Sequence, residues 1–330
     1  MQKSLDTKLN DIRTNPNSKE FIICYAADPD MGGGISPWVD THSSLQAYYD
    51  ELAVLVQQAK LDIMLTSVST MDVLARDRRL FDESPVTPSI RANDTTDIWN
   101  IRGSSYVKDA PSKPFATTTI EEAQFGALTP KPGQQPDVNL GLYSITFNND
   151  LAADWFALER LKAFRIEAAQ KGLRYFLEIF NPNAPVNLAA ADIPNFVNDC
   201  IARMVAGIPR ASRPEFLKIA YNGPQAMADL CTYTSLVVGI LGGPASTTYD
   251  SYKLIAEAKK YGARVALFGR RIKQAEDQPA FVELLRAVAD DEIGPEEATK
   301  AYHGHLQKVG IKPVRSPEDD MVLHTAALKA

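Results

Sequence analysis

The stretch EFLKIAYNGP, residues 215–224, places a lysine inside a short apolar run that ends at Asn-Gly-Pro. The run is too short for a helix, and the residues that close it are typical of a turn after a buried strand. Side chains alternate between the two faces of a strand, so Leu217 and Ile219 share one face and Lys218 lies on the other. The sequence therefore predicts a buried strand that carries one cation.

Seven further apolar runs alternate with amphipathic stretches such as 150–172 and 249–262, whose apolar residues recur every three to four positions. This alternation predicts strand-helix units around a parallel sheet. Eight such units predict an α/β fold of the (β/α)8 TIM-barrel type, whereas a doubly wound open sheet, the alternative, usually has fewer strands. The predicted strands are 21–29, 61–69, 97–103, 138–147, 174–180, 216–221, 236–243 and 264–271.

The predicted domain organisation is one barrel domain over 21–310, preceded by a helix and linker at 1–20 and followed by a tail at 311–330. The connections after the second and third predicted strands, 70–96 and 103–136, are long and rich in Pro, Ser, Thr and charge. Both would leave C-terminal strand ends and rise over the barrel mouth. Lids, oligomer contacts and decorative insertions all fit these two connections.

The composition excludes several classes of protein. The 330 residues are 45% hydrophobic with a formal net charge of -6. This balance is ordinary for a globular protein and lacks the basic field that nucleic-acid binding needs. No signal peptide and no run of 18 apolar residues is present, so we expect a cytoplasmic protein with no membrane partner. Three cysteines without CxxC spacing predict reduced thiols.

The predicted position of Lys218 has chemical consequences. Helices cover the outside of a barrel and take the apolar face of each strand, so Lys218 points inward. An interior ammonium is costly unless it is paired or loses its proton. A lysine with a depressed pKa offers a neutral amine that attacks a carbonyl and forms a Schiff base.

Two carboxylates are expected near this lysine. In RYFLEIF (174–180), strand alternation turns Glu178 inward, and Asp28 falls at the C-terminal end of the first strand. Schiff-base chemistry needs groups that move protons and orient the cation. The structural alternative is an ion pair of Lys218 with Glu178 and no chemistry, with Asp28 acting only as a cap.

Glycines and arginines end the last two strands. In barrel enzymes the loops after strands seven and eight usually form a phosphate site from backbone N–H groups. Arg102, at the end of the third predicted strand, is a candidate for a second phosphate or a carboxylate, or for pairing with an acidic lid residue. The candidate phosphate-binding residues are Gly242, Gly243, Gly269 and Arg270, with Arg271 as an alternative guanidinium and Arg102 as an addition.

Four motifs resemble the class I (Schiff-base) aldolases of the DeoC/LacD type, in particular tagatose-1,6-bisphosphate aldolase and archaeal-type fructose-bisphosphate aldolase. They are FLEIFNP (176–182), FLKIAYNGP (216–224), VVGILGGPAS (237–246) and VALFGRRI (265–272). The resemblance implies a barrel in which Lys218 forms the Schiff base, Glu178 acts as acid and base, and Asp28 assists. It implies no metal and no cofactor.

The resemblance also marks one departure. The tagatose-bisphosphate enzymes carry a second lysine on strand four, and the comparable position here is predicted to be Asn139. Tyr143 or Tyr175 would then take over proton transfer, as a tyrosine does in the archaeal-type enzymes. This departure leaves open which sugar the protein acts on and which bond it changes.

The sequence thus predicts a class I aldolase that cleaves or condenses a phosphorylated ketose, with a small-molecule phosphosugar as its partner. A phosphosugar isomerase or epimerase without an imine is the second hypothesis, and a non-catalytic phosphosugar-binding protein is the third. Barrels of this kind often assemble, so the sequence leaves room for a homo-oligomer.

Overall fold

Eight parallel strands close into a barrel in a computed structural model that describes residues 1–39, 44–107, 110–183 and 188–329. The barrel strands are β1 (Ile22–Ala27), β2 (Ile63–Thr66), β3 (Thr87–Arg91), β6 (Leu140–Thr146), β7 (Arg174–Phe180), β8 (Phe216–Ile219), β9 (Val237–Leu241) and β10 (Val265–Phe268), and a separate small sheet pairs β4 (Asp94–Thr95) with β5 (Pro114–Phe115). The predicted TIM barrel is therefore confirmed. Around the barrel the strands follow the order β1-β10-β9-β8-β7-β6-β3-β2.

The third strand differs from its prediction. The barrel strand is TPSIR at 87–91, and the predicted strand 97–103 lies outside the barrel. The sequence does not predict this strand, because Pro88 and the polar residues beside it lack the β-branched and aromatic pattern of most strands. In 97–103 Trp99 instead stacks on Tyr106, with ring centroids 4.9 Å apart. The connection after β2 therefore spans only 67–86, and the long one spans 92–139.

The barrel interior is apolar at its base. Ile22, Cys24 and Phe176 are fully buried there with residues of the other strands. Leu5 and Leu9 of the first helix join the same cluster and close the N-terminal end of the barrel. Polar side chains are therefore displaced toward the opposite, C-terminal end.

Helices surround the barrel and bury their apolar faces against it. The longest, Leu151–Lys171, begins at Asp150, whose side chain accepts the N–H of Ala153, and ends at Gly172 in the left-handed region. No helix of the described ranges is long and apolar enough to cross a membrane. The helices are α1 (Ser4–Thr14), α2 (Pro29–Gly33), α3 (Ser36–Val39), α4 (Leu45–Gln58), α5 (Val68–Met71), α6 (Ile120–Phe125), α7 (Leu151–Lys171), α8 (Ile193–Ala206), α9 (Pro224–Tyr233), α10 (Thr248–Lys260), α11 (Arg270–Lys273), α12 (Gln278–Ala289) and α13 (Pro295–Val309).

The C-terminal tail docks on the start of α10. Asp320 accepts the N–H of Thr248 at 2.8 Å, and the hydroxyl of Thr247 donates to the carbonyl of Val322 at 2.7 Å. Asp250 accepts the N–H groups of His324 and Thr325 at 2.6 and 2.7 Å. Residues 320–325 thus lie beside the loop that follows β9, at the barrel mouth.

Candidate active site

Lys218 and Glu178 form a buried ion pair inside the barrel. They are register partners on adjacent strands, and Lys218 Nζ donates to Glu178 Oε1 at 2.5 Å. Only 4% of Lys218 and 2% of Glu178 is exposed. The inward orientation predicted from strand alternation is therefore what the structure shows for both residues.

Arg91 extends this pair to Asp28. At the end of β3, Arg91 donates through Nε to Asp28 Oδ2, and through Nη1 to Ser144 at 3.0 Å and to Glu178 Oε2 at 3.5 Å. Ser144 donates to the same Glu178 oxygen at 2.8 Å. The network of Asp28, Arg91, Glu178 and Lys218 contains two carboxylates and two cations, so its formal charges cancel.

Sequence reasoning missed Arg91 because it missed β3. Burial lowers the pKa of Arg91, but Asp28 and Glu178 more than offset this effect, and its pKa lies above the ordinary value. The guanidinium is therefore a fixed charge. The one available signal was the alternation of Thr87, Ser89 and Arg91, three polar side chains at period two.

The fourth barrel strand brings Ser144, and not Asn139, to Glu178. Asn139 precedes β6 at the opposite end of the barrel, where its side chain accepts from Gln124 at 3.0 Å. Tyr143 faces outward and stacks on Phe164 of α7, with centroids 4.3 Å apart. A proton-transfer role for Tyr143 is therefore wrong, because alternation on β6 turns it away from Ser144 and the interior.

Tyr175 also faces outward. Its hydroxyl donates to the carbonyl of Ser212 at 2.9 Å, and its ring meets Phe164 edge-on at 5.5 Å. It precedes the inward Phe176 by one position, which accounts for its orientation. Neither predicted tyrosine reaches Lys218.

Asp94, just beyond Arg91, is a second missed residue. It is 2% exposed, and its Oδ1 accepts the N–H of Thr95 at 2.8 Å. Burial raises the pKa of Asp94 to about 7, an effect that Arg91 opposes. The side chain of the neighbouring Asn93 accepts the N–H of Ser144 at 2.6 Å and donates to the carbonyl of Ser144 at 2.8 Å. Residues 93 and 94 thus tie the long connection to the ion-pair network.

A cavity of about 410 Å³ opens beside Arg91 at the ends of β1, β2 and β3. On its wall Ser67 donates to Asp30 Oδ2 at 2.5 Å, and burial raises the pKa of Asp30. Residues of the long connection, including Thr118 and Glu122, complete the wall. This is the open space that borders the ion-pair network.

The glycines and arginines predicted to bind phosphate after β9 and β10 have different roles in the structure. Gly242 donates its N–H to the carbonyl of Leu267 at 3.0 Å and accepts from Arg271 Nε through its carbonyl, so its backbone groups are already used. Arg271 also pairs with Asp250 at 2.7 Å. Arg271 is therefore a structural residue that ties the loop after β9 to α10.

Arg270, Gly243 and Gly269 remain near the mouth. Arg270 is exposed at the start of α11, and its side chain has no hydrogen bond or ion pair with any residue that the structure describes. Gly243 has a φ of +69° and a backbone N–H without a partner in the same set of residues. A Cβ on Gly269 would lie 2.7 Å from the carbonyl oxygen of Ala26, which explains the glycine by close packing on β1.

Arg102 lies apart from these groups. It is exposed in the connection between β4 and β5, and within the described ranges its side chain has no hydrogen bond or ion pair. Its predicted place at the end of a barrel strand is wrong, because β3 ends at Arg91. The structure thus brings Lys218, Glu178 and Asp28 together and leaves Arg102 outside.

Comparison with known proteins gives matches among solved structures only, since no family model and no curated sequence matches the chain. An archaeal fructose 1,6-bisphosphate aldolase matches at 19% identity and a TM-score of 0.62, covering 87% of this chain and 100% of that one. The chain has the barrel fold of the Schiff-base-forming fructose-1,6-bisphosphate aldolases. A fructose-bisphosphate aldolase from Slackia heliotrinireducens matches at 12% identity and a TM-score of 0.65, with 91% of each chain covered.

A third structure shows an archaeal fructose-1,6-bisphosphate aldolase with its catalytic lysine covalently bound to the carbinolamine intermediate of the substrate. It matches at 19% identity and a TM-score of 0.60, covering 87% of this chain and 100% of that one. The predicted resemblance to archaeal-type Schiff-base aldolases is confirmed for the fold.

Proposed function

We propose that this protein is a class I aldolase that cleaves or condenses a phosphorylated ketose through a Schiff base on Lys218. The observation that carries the proposal is the 2.5 Å contact between Lys218 Nζ and Glu178 Oε1 in the buried upper part of the barrel. A nucleophile with a proton acceptor in hydrogen-bond reach is the arrangement that covalent catalysis requires. The fold similarity to Schiff-base-forming aldolases supports the same chemistry.

Imine formation follows from this contact. Glu178 accepts a proton from the ammonium of Lys218, and the neutral amine adds to the substrate carbonyl to give a carbinolamine. Protonated Glu178 returns its proton to the departing hydroxyl, water leaves, and an iminium forms beside the carboxylate. Arg91 and Ser144 hold Glu178 Oε2 while Oε1 exchanges protons with Lys218.

Cleavage uses the same carboxylate. Glu178 takes the proton of the hydroxyl on the second carbon from the iminium carbon, the bond between that hydroxyl-bearing carbon and the intervening carbon breaks, and its electron pair moves toward the iminium to give an enamine. The aldehyde leaves, Glu178 protonates the enamine carbon, and water hydrolyses the imine to release the ketone and Lys218. Asp28 orients the site through Arg91.

The phosphate of the substrate is assigned in this proposal to the loops after β9 and β10. Arg270 supplies there a guanidinium that has no partner among the described residues, and Gly243 supplies a backbone N–H on a left-handed turn. Ser246 Oγ, in the same loop, is buried without a hydrogen-bond partner among the described residues. Gly242 and Gly269 contribute the close packing that shapes these loops.

Borohydride trapping tests the proposal. The protein is incubated with dihydroxyacetone phosphate, reduced, and analysed by intact and peptide mass. The expected result is one adduct on the peptide that carries Lys218, and no adduct on Lys218→Arg, which keeps a cation beside Glu178 but lacks the nucleophilic amine. Aldose-ketose interconversion without any adduct would instead indicate the isomerase, and binding without turnover would indicate a phosphosugar sensor.

A further inference from the structure

The cavity beside Arg91 lies across the barrel from the candidate nucleophile. In the closed strand order, β2 is four strands from β8 in either direction, so the end of β2 is diametrically opposite Lys218. Ser67, which follows β2, lines the cavity. A ketose whose carbonyl carbon is bound to Lys218, and whose adjacent phosphate lies at β9 and β10, extends its remaining carbons toward this cavity.

The walls of the cavity carry hydroxyls and carboxylates. Ser67 and Thr118 contribute hydroxyl groups, and Asp30, Asp72 and Glu122 contribute acids. Counted formally, the described wall of the cavity thus carries three acids and one base, Arg91. Carboxylate oxygens accept hydrogen bonds from sugar hydroxyls and repel a phosphate dianion, whereas the serine and threonine hydroxyls can bind either group.

The cations near the cavity are already paired. Among the described residues that line it, Arg91 is the one cation, and it pairs with Asp28 and Glu178. Arg76, behind the wall, pairs with Asp72 and with Asp137. Within the described part of the chain, therefore, no unpaired arginine or lysine lines this space.

The loops after β9 and β10 have the opposite character. Arg270 has no ion-pair partner among the described residues, and Arg271 beside it pairs internally with Asp250. Within the described residues the barrel mouth is thus asymmetric, because Arg270 near β10 has no ion-pair partner, whereas the wall near β2 carries acids and no unpaired cation. A substrate that matches this distribution carries its charge at one end.

We infer that the substrate is a ketose 1-phosphate whose distal end is an unphosphorylated polyol, bound in the cavity lined by Asp30, Ser67, Asp72, Arg91, Thr118 and Glu122. This inference rests on the proposed Schiff-base function. It departs from the fructose 1,6-bisphosphate of the structurally similar enzymes, because among the residues that the structure describes a second phosphate would face carboxylates and no unpaired cation.

The test compares two ketoses that differ only at the distal end. Borohydride trapping is measured against concentration for fructose 1-phosphate and fructose 1,6-bisphosphate, with dihydroxyacetone phosphate as a probe that does not reach the cavity. We expect half-maximal labelling of Lys218 at a concentration at least tenfold lower for the monophosphate. Equal or better labelling by the bisphosphate, with dihydroxyacetone phosphate also labelling, would overturn the substrate inference and leave the proposed function standing. Absence of labelling by all three would overturn both.

A charge variant isolates the cavity. Glu122→Gln removes one wall charge, and glutamine can keep the capping interaction that Glu122 makes with Thr119 at the start of α6. The preference for the monophosphate is expected to shrink severalfold in this variant. Glu121→Gln removes the same charge from the neighbouring position, where Glu121 pairs with Lys171 away from the cavity wall, and should leave the preference unchanged. An equal effect of both substitutions would contradict the assigned subsite.

Discussion

Glu178 and Lys218 face each other across adjacent barrel strands, and their charged atoms lie 2.5 Å apart. Glu178 uses one oxygen for Lys218 and the other for Ser144 and Arg91. A buried carboxylate with three donors is fixed in orientation, whereas a nucleophile must still be free to give up its proton. Oε2 accepts the hydrogen bonds that fix the carboxylate, so Oε1 remains available to take the proton of Lys218.

Removing one member of this pair should cost more stability than removing both. Lys218→Met leaves a buried carboxylate without its nearest cation, and we expect the free energy of unfolding to fall by about 3 kcal/mol. The double variant Lys218→Met/Glu178→Gln carries no charge at the pair and should regain part of that loss. Urea unfolding of wild type, both single variants and the double variant measures the coupling. A double variant less stable than either single variant would contradict the pairing.

Arg91 should be required as an arginine. Its Nε and Nη1 reach Asp28 and Glu178 at the same time, which the single ammonium of a lysine cannot do. We expect Arg91→Lys to reduce the rate of adduct formation roughly tenfold to a hundredfold, the equivalent of one or two charged hydrogen bonds. Single-turnover trapping with dihydroxyacetone phosphate measures this rate. Arg102→Lys, a change on an exposed loop, is the matched control, and equal rates for the two variants would argue against the assignment.

The contrast between Lys218 and Arg91 shows what the sequence could and could not reveal. Lys218 and Glu178 lie in short apolar runs that are recognisable as buried strands, so the direction of their side chains follows from period-two geometry. Arg91 lies in a strand with a proline and two polar inward residues, and only pairing with β2 and β6 defines that strand. Strand propensity is weak where tertiary context supplies the partners.

The sequence could not decide which of the two arginines after β10 binds a ligand, and the reason is different. The sequence places Arg270 and Arg271 side by side at a strand end, and nothing local separates a ligand-binding guanidinium from a structural one. Arg271 forms an ion pair with Asp250 and donates a hydrogen bond to the hydroxyl of Thr325, which lies 54 positions away in the tail. A contact of such long range is invisible to motif and periodicity.

Asp94 should make stability depend on pH. Burial raises its pKa from 3.8 to about 7, so between these values the folded chain holds a proton that the unfolded chain has lost. The free energy of unfolding contributed by this group therefore falls as pH rises through that interval, by roughly 4 kcal/mol in total. Asp94→Asn should remove this decline. Urea unfolding at pH 5 and pH 8 tests it, with the exposed Asp77→Asn as control; an unchanged decline in Asp94→Asn would show that other groups cause it.

Asp250 should hold the C-terminal tail on the barrel mouth. One of its oxygens accepts the N–H groups of His324 and Thr325, and the other accepts from Arg271 and the hydroxyl of Thr325. Burial raises the pKa of Asp250, but these hydrogen bonds and the Arg271 charge more than offset it, so the pKa lies below 3.8. The stabilisation is therefore complete above pH 4 and is lost as pH falls through the lowered value.

In Asp250→Asn an amide N–H2 group replaces one carboxylate oxygen. Whichever oxygen is replaced, this group faces two of the N–H or O–H donors that now bind Asp250. We expect Asp250→Asn to lower the free energy of unfolding by about 3 kcal/mol and to expose the tail to proteolysis, since a donor facing buried donors loses its hydrogen bonds. Thr325→Val removes one hydroxyl and should cost about 1 kcal/mol without freeing the tail. Limited proteolysis followed by mass analysis locates the cuts. Cleavage between 311 and 329 in Asp250→Asn and not in Thr325→Val is the expected pattern, and equal resistance of both variants would mean that other contacts hold the tail.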